Sequence, residues 1–285
     1  MTDHEHPTSI EKEHRLADWL RARGSIAIGY SGGVDSAYLA ALALNTLGAE
    51  HVLAIIGRSA SYPESQWTSA REVAKEIGLT IVEVDTDELN DPRYAANPSN
   101  RCYFCKTELW SRLVPLAAAR GFATVADGTN ADDLLGHRPG AAAAKEQGVV
   151  SPLAMFEFSK AEIRKRSQAM GLPTWEQPSS PCLSSRIPYG TPVTVARLAR
   201  VERAEAGLRT IGVMGDLRVR HFGDLAKVEL SSSELQRWQA PDMLVDLEAV
   251  VRNAGYDRVE LDPRGFRSGG LLELTRSQRA PLSGD

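Results

Sequence analysis

The chain has 285 residues, of which 42% are hydrophobic and 25% are charged, and its formal net charge is −4. This composition is typical of a globular protein with one or two domains, and the slight acidity argues against a protein that grips a nucleic-acid backbone by charge alone. The odd number of cysteines, three, argues against a disulfide framework. The polar N-terminus and the lack of an apolar run of about 20 residues predict no signal peptide and no membrane span, and we therefore expect a cytoplasmic protein.

Strand and helix patterns alternate through the first half of the chain. Short apolar runs at 25–30, 51–57 and 80–86 predict strands, and residues 122–130 predict a fourth strand that runs into a loop. The intervening segments 37–48 and 63–78 predict helices. A further helix is expected to begin at the S-K-A-E sequence of residues 159–162, which has the form of a capping box. Strands alternating with helices at this spacing predict an α/β domain with a doubly wound, mostly parallel sheet.

The pattern changes towards the C-terminus. Residues 87–101 are rich in Pro, Asn and Asp and predict a long loop, and the proline-rich residues 172–194 predict a second loop at a domain junction. After these come an amphipathic helix, a hairpin, another helix and another strand, with a possible last strand at 269–275. We therefore predict two domains, residues 1–188 and a smaller α+β domain of residues 189–285.

The sequence S-G-G-V-D-S lies between the first predicted strand and a helix. Gly32 and Gly33 allow a ligand to approach the backbone closely, and exposed amides with the positive end of a helix dipole favour an anion. Ser31 and Ser36 add hydroxyl donors, and Asp35 is suited to ordering the loop or holding Mg²⁺. The Lys and the spacing of a Walker A loop are absent. The loop predicts a phosphate site of another kind.

Two further groups of residues are candidates for ligand binding. D-G-T-N-A-D-D, which includes Gly128 and Asp133, follows the fourth predicted strand at the sheet edge where α/β proteins bind ligands. An Asn/Asp-rich turn is the alternative interpretation. Arg218 and Arg220 alternate on a predicted strand, share a face and can clamp a phosphate, and Arg186 is a further anion candidate.

The cysteines form a C-x-x-C pair, Cys102 and Cys105, with Cys182 much further along the chain. Three thiolates can bind a [4Fe–4S] cluster with one iron left open. A structural zinc site would need a fourth ligand, for which His137 is the mid-chain candidate. A redox-active, thioredoxin-like pair with a separate buried thiol is the alternative interpretation.

Several stretches together resemble a known family. S-G-G-V-D-S resembles the loop of the pyrophosphatase-loop superfamily of ATP-using enzymes. Y-S-G-G-V-D-S-A-Y-L-A, S-N-R-C-Y-F-C-K, D-G-T-N-A-D-D, P-C-L-S-S-R-I-P-Y-G and L-D-P-R-G-F-R-S-G-G together resemble the LarE family, the ATP-dependent sulfur transferases of nickel-pincer cofactor assembly. The similar stretches extend from about residue 25 to residue 275, nearly the whole chain.

The resemblance carries specific expectations. It implies that ATP is split to AMP and pyrophosphate, that the carboxylates of pyridinium-3,5-biscarboxylic acid mononucleotide are adenylated, and that they become thiocarboxylates. Ser31, Gly32, Gly33, Asp35, Ser36, Gly128 and Asp133 would bind ATP. Arg218, Arg220 and Arg186 would bind the substrate phosphate. Cys102, Cys105 and Cys182 resemble the family members that hold a [4Fe–4S] cluster, whereas other members sacrifice the sulfur of the cysteine that matches Cys182.

The same resemblance implies ATP, Mg²⁺ and the cluster as cofactors, with Asp35 and Cys182 as the catalytic residues. We expect a homo-oligomer that engages neither nucleic acid nor a membrane and takes sulfur from an unidentified donor. A tRNA thiolation enzyme, an ammonia-using synthetase and a non-catalytic nucleotide or iron–sulfur sensor are the alternatives. The low positive charge disfavours the first, and C-x-x-C with Cys182 disfavours the second.

Overall fold

The computed structural model of the chain describes residues 7–136, 138–178 and 180–267. Its helices are α1 Ser9–Arg23, α2 Val34–Leu47, α3 Glu64–Glu76, α4 Pro92–Ala95, α5 Arg101–Ala119, α6 Pro139–Glu146, α7 Pro152–Met155, α8 Lys160–Ala169, α9 Val195–Thr210, α10 Ser232–Trp238 and α11 Pro241–Asn253. Its strands are β1 Ile26–Gly29, β2 Val52–Arg58, β3 Ile81–Asp85, β4 Val125–Ala126, β5 Leu217–Phe222, β6 Leu225–Leu230 and β7 Arg258–Leu261.

The first sheet is parallel throughout its four described strands, in the order β3-β2-β1-β4. In the register of its central strand, Ile28 stands opposite Ala54 on one side and Ala126 on the other. The order changes direction between β1 and β4, and the loop after β1 therefore lies at the point where an open α/β sheet binds its ligand.

Helices cover both faces of this sheet. Ile26 and Ile28 pack on one face in a core that includes α2 and Phe158. Their neighbour Ala27 points to the opposite face, into a core that contains Trp110 of α5. This arrangement confirms the predicted doubly wound α/β fold, because successive residues of a strand point to opposite sides.

The second sheet has the order β5-β6-β7. β5 and β6 form the predicted antiparallel hairpin, and β7 adds parallel to β6. Its core combines the sheet with α9, α10 and α11, around the fully buried Trp238, Leu247 and Val251. Helix α10, like α6 and α7 of the first half, is an element that the sequence analysis did not anticipate.

The chain divides into two compact units, Met1–Glu88 with Asn100–Ser180 and Leu89–Ser99 with Pro181–Asp285. The predicted loop of residues 87–101 is partly helical, since α4 lies within it. Asn97 fastens this segment within the second unit: its Nδ2 donates to the carbonyl oxygens of Pro188 and Thr191, both at 2.8 Å. The predicted strand at 269–275 lies outside the described residues.

Candidate active site

The loop that joins β1 to α2 requires glycine at its centre. Gly32 has a φ of +68°, and a Cβ built on it would stand 2.4 Å from the Cβ of Ala70 in α3. Any side chain there would be both strained and in collision. Gly33 has no such constraint, because its Cβ would meet only Ser31 Oγ, at 3.5 Å. The loop therefore passes α3 at a distance that only a glycine backbone allows.

Hydrogen bonds hold the loop in one shape. Ser36 is 3% exposed, and its Oγ accepts from Ser31 N at 3.2 Å and donates to Gly33 O at 3.1 Å. Tyr62 donates its hydroxyl to Ser31 O at 2.9 Å. Burial raises the pKa of Tyr62, so the hydroxyl keeps the proton that it donates. The first-turn amides of α2, which a helix leaves without intrahelical acceptors, follow this ordered turn and suit an anion.

Asp35, on the first turn of α2, forms an ion pair with Lys160, which comes much later in the sequence of the same unit. Lys160 Nζ lies 2.6 Å from Asp35 Oδ2, and Asn130 Nδ2 donates to Asp35 Oδ1 at 3.4 Å. The predicted capping box of α8 is present, with Ser159 and Glu162 bonded reciprocally. It places Lys160 at the first position of the helix. The sequence analysis identified the box but missed Lys160 as a site residue.

The D-G-T-N-A-D-D segment lies against the same loop. A Cβ on Gly128 would come within 2.9 Å of Ser36 N, so a glycine at this position lets the segment approach the first turn of α2 closely. Asp132 Oδ2 accepts from Lys160 N at 2.8 Å. Asp133 accepts from Asn130 N at 3.2 Å and also pairs with Arg138. The structure therefore brings Gly128, Asp132 and Asn130 to the Asp35–Lys160 pair.

Cys102 and Cys105 both lie in the first turns of α5. Their spacing of three residues places them on one face of the helix. Cys102 is exposed and Cys105 is half-buried. Helix α6 packs tightly beside them, because a Cβ on Gly140 would lie 3.4 Å from Cys102 O. His137, the candidate fourth zinc ligand, lies outside the described residues.

Cys182 belongs to the second unit, where it caps the short 3-10 turn Leu183–Arg186. Arg186 closes this turn: its Nη1 donates to Cys182 O at 3.0 Å and to Ser185 Oγ at 3.1 Å, and it also contacts Pro181 O. Nε and Nη2 of the same guanidinium donate to the two carboxylate oxygens of Glu205, each at 2.9 Å. Arg186 thus links the backbone at Cys182 to α9.

Arg218 and Arg220 project from the same face of β5, as their alternation predicts, and both are buried. Arg220 donates two bonds to Glu229 Oε2, at 3.1 and 2.8 Å, and a third to Ser185 O at 2.9 Å. Arg218 stacks on Phe266, with the guanidinium carbon 5.0 Å from the ring centroid. Burial, with the charges of Arg186 and Arg220, lowers the pKa of Arg218 to about 10.

Three guanidinium groups and two carboxylates make up this buried cluster, which we call the arginine cluster: Arg186, Glu205, Arg218, Arg220 and Glu229. Its members carry three positive and two negative charges, and the carboxylate of Asp216 also acts on Arg218. Guanidinium groups gathered in this way suit an anionic partner. The cluster adjoins Cys182 through Arg186 and Ser185.

Over residues 7–136, 138–178 and 180–267, no group of three or more His, Cys, Asp or Glu side chains is placed to hold a metal ion. Within the same ranges, no helix is both long and apolar enough to cross a membrane.

Known proteins resemble the chain over nearly its full length. Residues 14–111, which include the loop after β1, match the NAD synthase family. An uncharacterised protein of Synechocystis sp. is 46% identical, over 86% of this chain and 90% of its own. The pyridinium-3,5-bisthiocarboxylic acid mononucleotide synthase of Lactiplantibacillus plantarum is 34% identical, over 97% of this chain and 99% of its own. The chain therefore belongs to the LarE family of pyrophosphatase-loop proteins, and it is an ATP-using enzyme that forms AMP and pyrophosphate.

Proposed function

We propose that the protein adenylates the carboxylates of pyridinium-3,5-biscarboxylic acid mononucleotide and replaces one oxygen of each by sulfur. The observation that supports this most strongly is the near-full-length similarity to the Lactiplantibacillus plantarum synthase, whose name states the corresponding product. The buried arginine cluster beside Cys182 supports it independently, since the substrate carries a phosphate and the sulfur step calls for a cysteine.

The loop after β1 would bind the phosphates of ATP during the adenylation step. The amides and hydroxyls of Ser31, Gly32, Gly33 and Ser36 would bind the departing pyrophosphate. A substrate carboxylate oxygen attacks the α-phosphorus of ATP, the bond from that phosphorus to the bridging oxygen of the β-phosphate breaks, and the electron pair leaves with pyrophosphate. Lys160 lies beside Asp35, where its positive charge would stabilise the negative charge that develops on the departing pyrophosphate.

Mg²⁺ fits the donors of this edge. Magnesium prefers oxygen ligands and is commonly held by one or two carboxylates together with substrate phosphates. Asp35 would be the protein ligand and would share its carboxylate with Lys160, while Gly128 and Asp133 line the approach to the nucleotide. The ion would supply charge neutralisation on the triphosphate.

The thiols fit a [4Fe–4S] cluster by their chemistry. Cys102, Cys105 and Cys182 each carry a thiol, and thiolates are the ligands that iron–sulfur clusters take. A bound cluster with one open iron would supply a sulfide for transfer. In the alternative, Cys182 Sγ attacks the adenylated carbonyl carbon and AMP leaves, which gives a thioester. The Cα proton of Cys182 is then lost to a base and the Cβ–Sγ bond breaks with its electron pair going to sulfur, so that the substrate leaves as a thiocarboxylate and dehydroalanine remains in the chain.

The arginine cluster would recognise the substrate phosphate. Arg218 is the member we place in direct contact with it, because its guanidinium is buried, stacks on Phe266 and lies near the charges of Arg186 and Arg220. Arg186 and Arg220 hold the Cys182 turn through their bonds to Cys182 O and Ser185 O. Homo-oligomerisation stays a prediction, which sedimentation velocity would test.

The deciding experiment is turnover by protein purified and assayed without oxygen. With ATP, Mg²⁺, sulfide and the pyridinium dicarboxylate mononucleotide, we expect AMP, pyrophosphate and a product in which sulfur replaces one oxygen per carboxylate, identified by mass spectrometry. Thiolated nucleosides formed from added tRNA instead would assign the protein to RNA modification. If neither the pyridinium mononucleotide nor tRNA increases the rate of AMP formation, the proposal is wrong.

A further inference from the structure

A pocket in the second unit is not used by the proposed reaction. It has a volume of about 380 Å³, within the range of small-molecule sites, and lies between the start of α9 and the turn that joins β5 to β6. Its lining includes Thr194, Arg197, Arg200, His221 and Asp224. His221 alternates with Arg220 along β5 and so points away from the arginine cluster.

Two arginines give this pocket its positive charge. Arg197 and Arg200 are three residues apart on the first turns of α9, and therefore share a face. Arg197 Nη1 donates to Pro192 O at 2.5 Å, and Arg200 Nη1 donates to Gly223 O at 3.3 Å. Since a guanidinium has five N–H donors, each retains capacity beyond these bonds. Asp224 offsets one of the two positive charges, and the amino end of α9 adds a favourable dipole.

His221, which lines the pocket, has a ring nitrogen that makes no hydrogen bond within the described residues. The residue is 2% exposed, its Nδ1 lies 3.1 Å from the Tyr256 hydroxyl, and its Nε2 has no hydrogen-bond partner in the part of the chain that the structure describes. Leaving a buried polar atom unsatisfied costs about 1–3 kcal/mol. Burial, with Arg197 and Arg200, lowers the pKa of His221 to about 4, so the ring is neutral at pH 7. In the tautomer that accepts from Tyr256, Nε2 carries the proton.

We propose that this pocket binds the phosphate group of a small molecule through Arg197, Arg200 and the Nε2–H of His221. A phosphate suits the site better than a carboxylate, because a tetrahedral group offers oxygens to donors from the helix and from the strand at once. The two guanidinium groups would hold the charge, and the ligand oxygen at Nε2 would satisfy the buried nitrogen. The proposal is independent of the reaction assigned above.

Inorganic phosphate is the probe for a direct test with the full-length protein. Long-range ¹H–¹⁵N spectra report the histidine rings, and comparison with His221→Gln assigns the signals of His221. We expect saturable phosphate-dependent shifts of these signals, and at least tenfold weaker binding in the double variant Arg197→Gln/Arg200→Gln. That loss is consistent with removing charge-assisted bonds worth about 1.5–3 kcal/mol each.

Arg203→Gln is the matched control, because Arg203 lies on the same helix and donates to Ala254 O rather than lining the pocket. It should bind phosphate as the wild type does. An Arg218→Gln background should keep the His221 shifts, which separates this pocket from the proposed substrate site. Phosphate that leaves the His221 signals unmoved, equal affinity in the double variant, or an equal loss in Arg203→Gln would overturn the proposal.

Discussion

Asp35 and Lys160, 125 residues apart in sequence, form an ion pair with 2.6 Å between Oδ2 and Nζ. The pair joins the first turn of α2 to the first residue of α8, beside the glycine loop. Both side chains are partly exposed, at 22% and 34%, so the pair contributes little to stability. Its position beside the glycine loop is the basis of the role that we propose for it in binding the phosphates of ATP.

Lys160→Gln should therefore impair ATP use without unfolding the protein. Removing one preorganised group that stabilises developing charge costs on the order of 100-fold in rate, and we expect that loss in kcat/KM for ATP. Pyrophosphate release measures it, and thermal unfolding should be nearly unchanged. Lys165→Gln is the control, because it removes an exposed lysine from the same helix. Equal rates in both variants would remove Lys160 from the phosphate site.

Gly32→Ala should destabilise the ATP-binding unit. The left-handed φ costs a non-glycine residue of order 1–3 kcal/mol, and the collision with Ala70 adds to it. Denaturant unfolding would measure the loss of free energy. Gly33→Ala is the matched comparison, since its φ of −77° is ordinary and its Cβ has room. If both variants unfold at the same denaturant concentration, the loop does not pass α3 as described.

Arg220→Gln should lower the stability of the protein, whereas Arg218→Gln should weaken binding of the pyridinium mononucleotide. Loss of Arg220 leaves Glu229, which is 1% exposed, without its charge partner, and breaking a buried pair costs about 3–5 kcal/mol. Arg218→Gln should instead raise KM for the pyridinium mononucleotide, by roughly 10–100-fold if one or two charge-assisted bonds are lost, while KM for ATP is retained.

Kinetics for both substrates and chemical unfolding separate the two effects. Glu229→Gln added to Arg220→Gln should recover much of the lost stability, because it removes the uncompensated buried charge. An equal rise in KM for both substrates in Arg218→Gln would indicate that Arg218 acts on structure or on the nucleotide.

Arg186→Gln should loosen the turn that carries Cys182. Arg186 is the group that ties Cys182 O to Glu205, so its loss should speed alkylation of Cys182 by iodoacetamide. The measurement uses a Cys102→Ser/Cys105→Ser background, in which Cys182 is the remaining thiol. Arg186→Lys should show an intermediate rate, since it keeps the charge without the planar fork. Arg252→Gln, an exposed arginine of the same unit, should show the background rate.

Each single Cys→Ala variant at positions 102, 105 and 182 should lose the visible absorbance of anaerobically reconstituted protein. Sulfur transfer should be lost with it, while ATP-dependent adenylation is retained, because the nucleotide loop contains no cysteine. Wild-type protein should turn over repeatedly when sulfide is supplied. Protein without iron, or dehydroalanine at Cys182 after one turnover, would establish the sacrificial route.

Local patterns in the sequence were enough to predict the elements that frame the ATP site. Apolar runs predicted β1, β2 and β3, and the serine–glutamate spacing predicted the start of α8. The glycines after β1 predicted a phosphate loop, which stays a prediction, and alternation placed Arg218 and Arg220 on one face. These features depend on interactions within a few residues, where backbone geometry alone decides which side chains meet.

Tertiary structure decided which distant groups became partners. Lys160 reaches Asp35, Arg186 links Cys182 to Glu205, and Arg220 is neutralised by Glu229 across the hairpin. Asn97 holds residues 89–99 within the second unit, although that segment interrupts the first in sequence. No local pattern predicts these pairings, because each joins residues that are separated in sequence and meet only in the folded structure. A charged group that is buried in this way needs a partner of opposite charge.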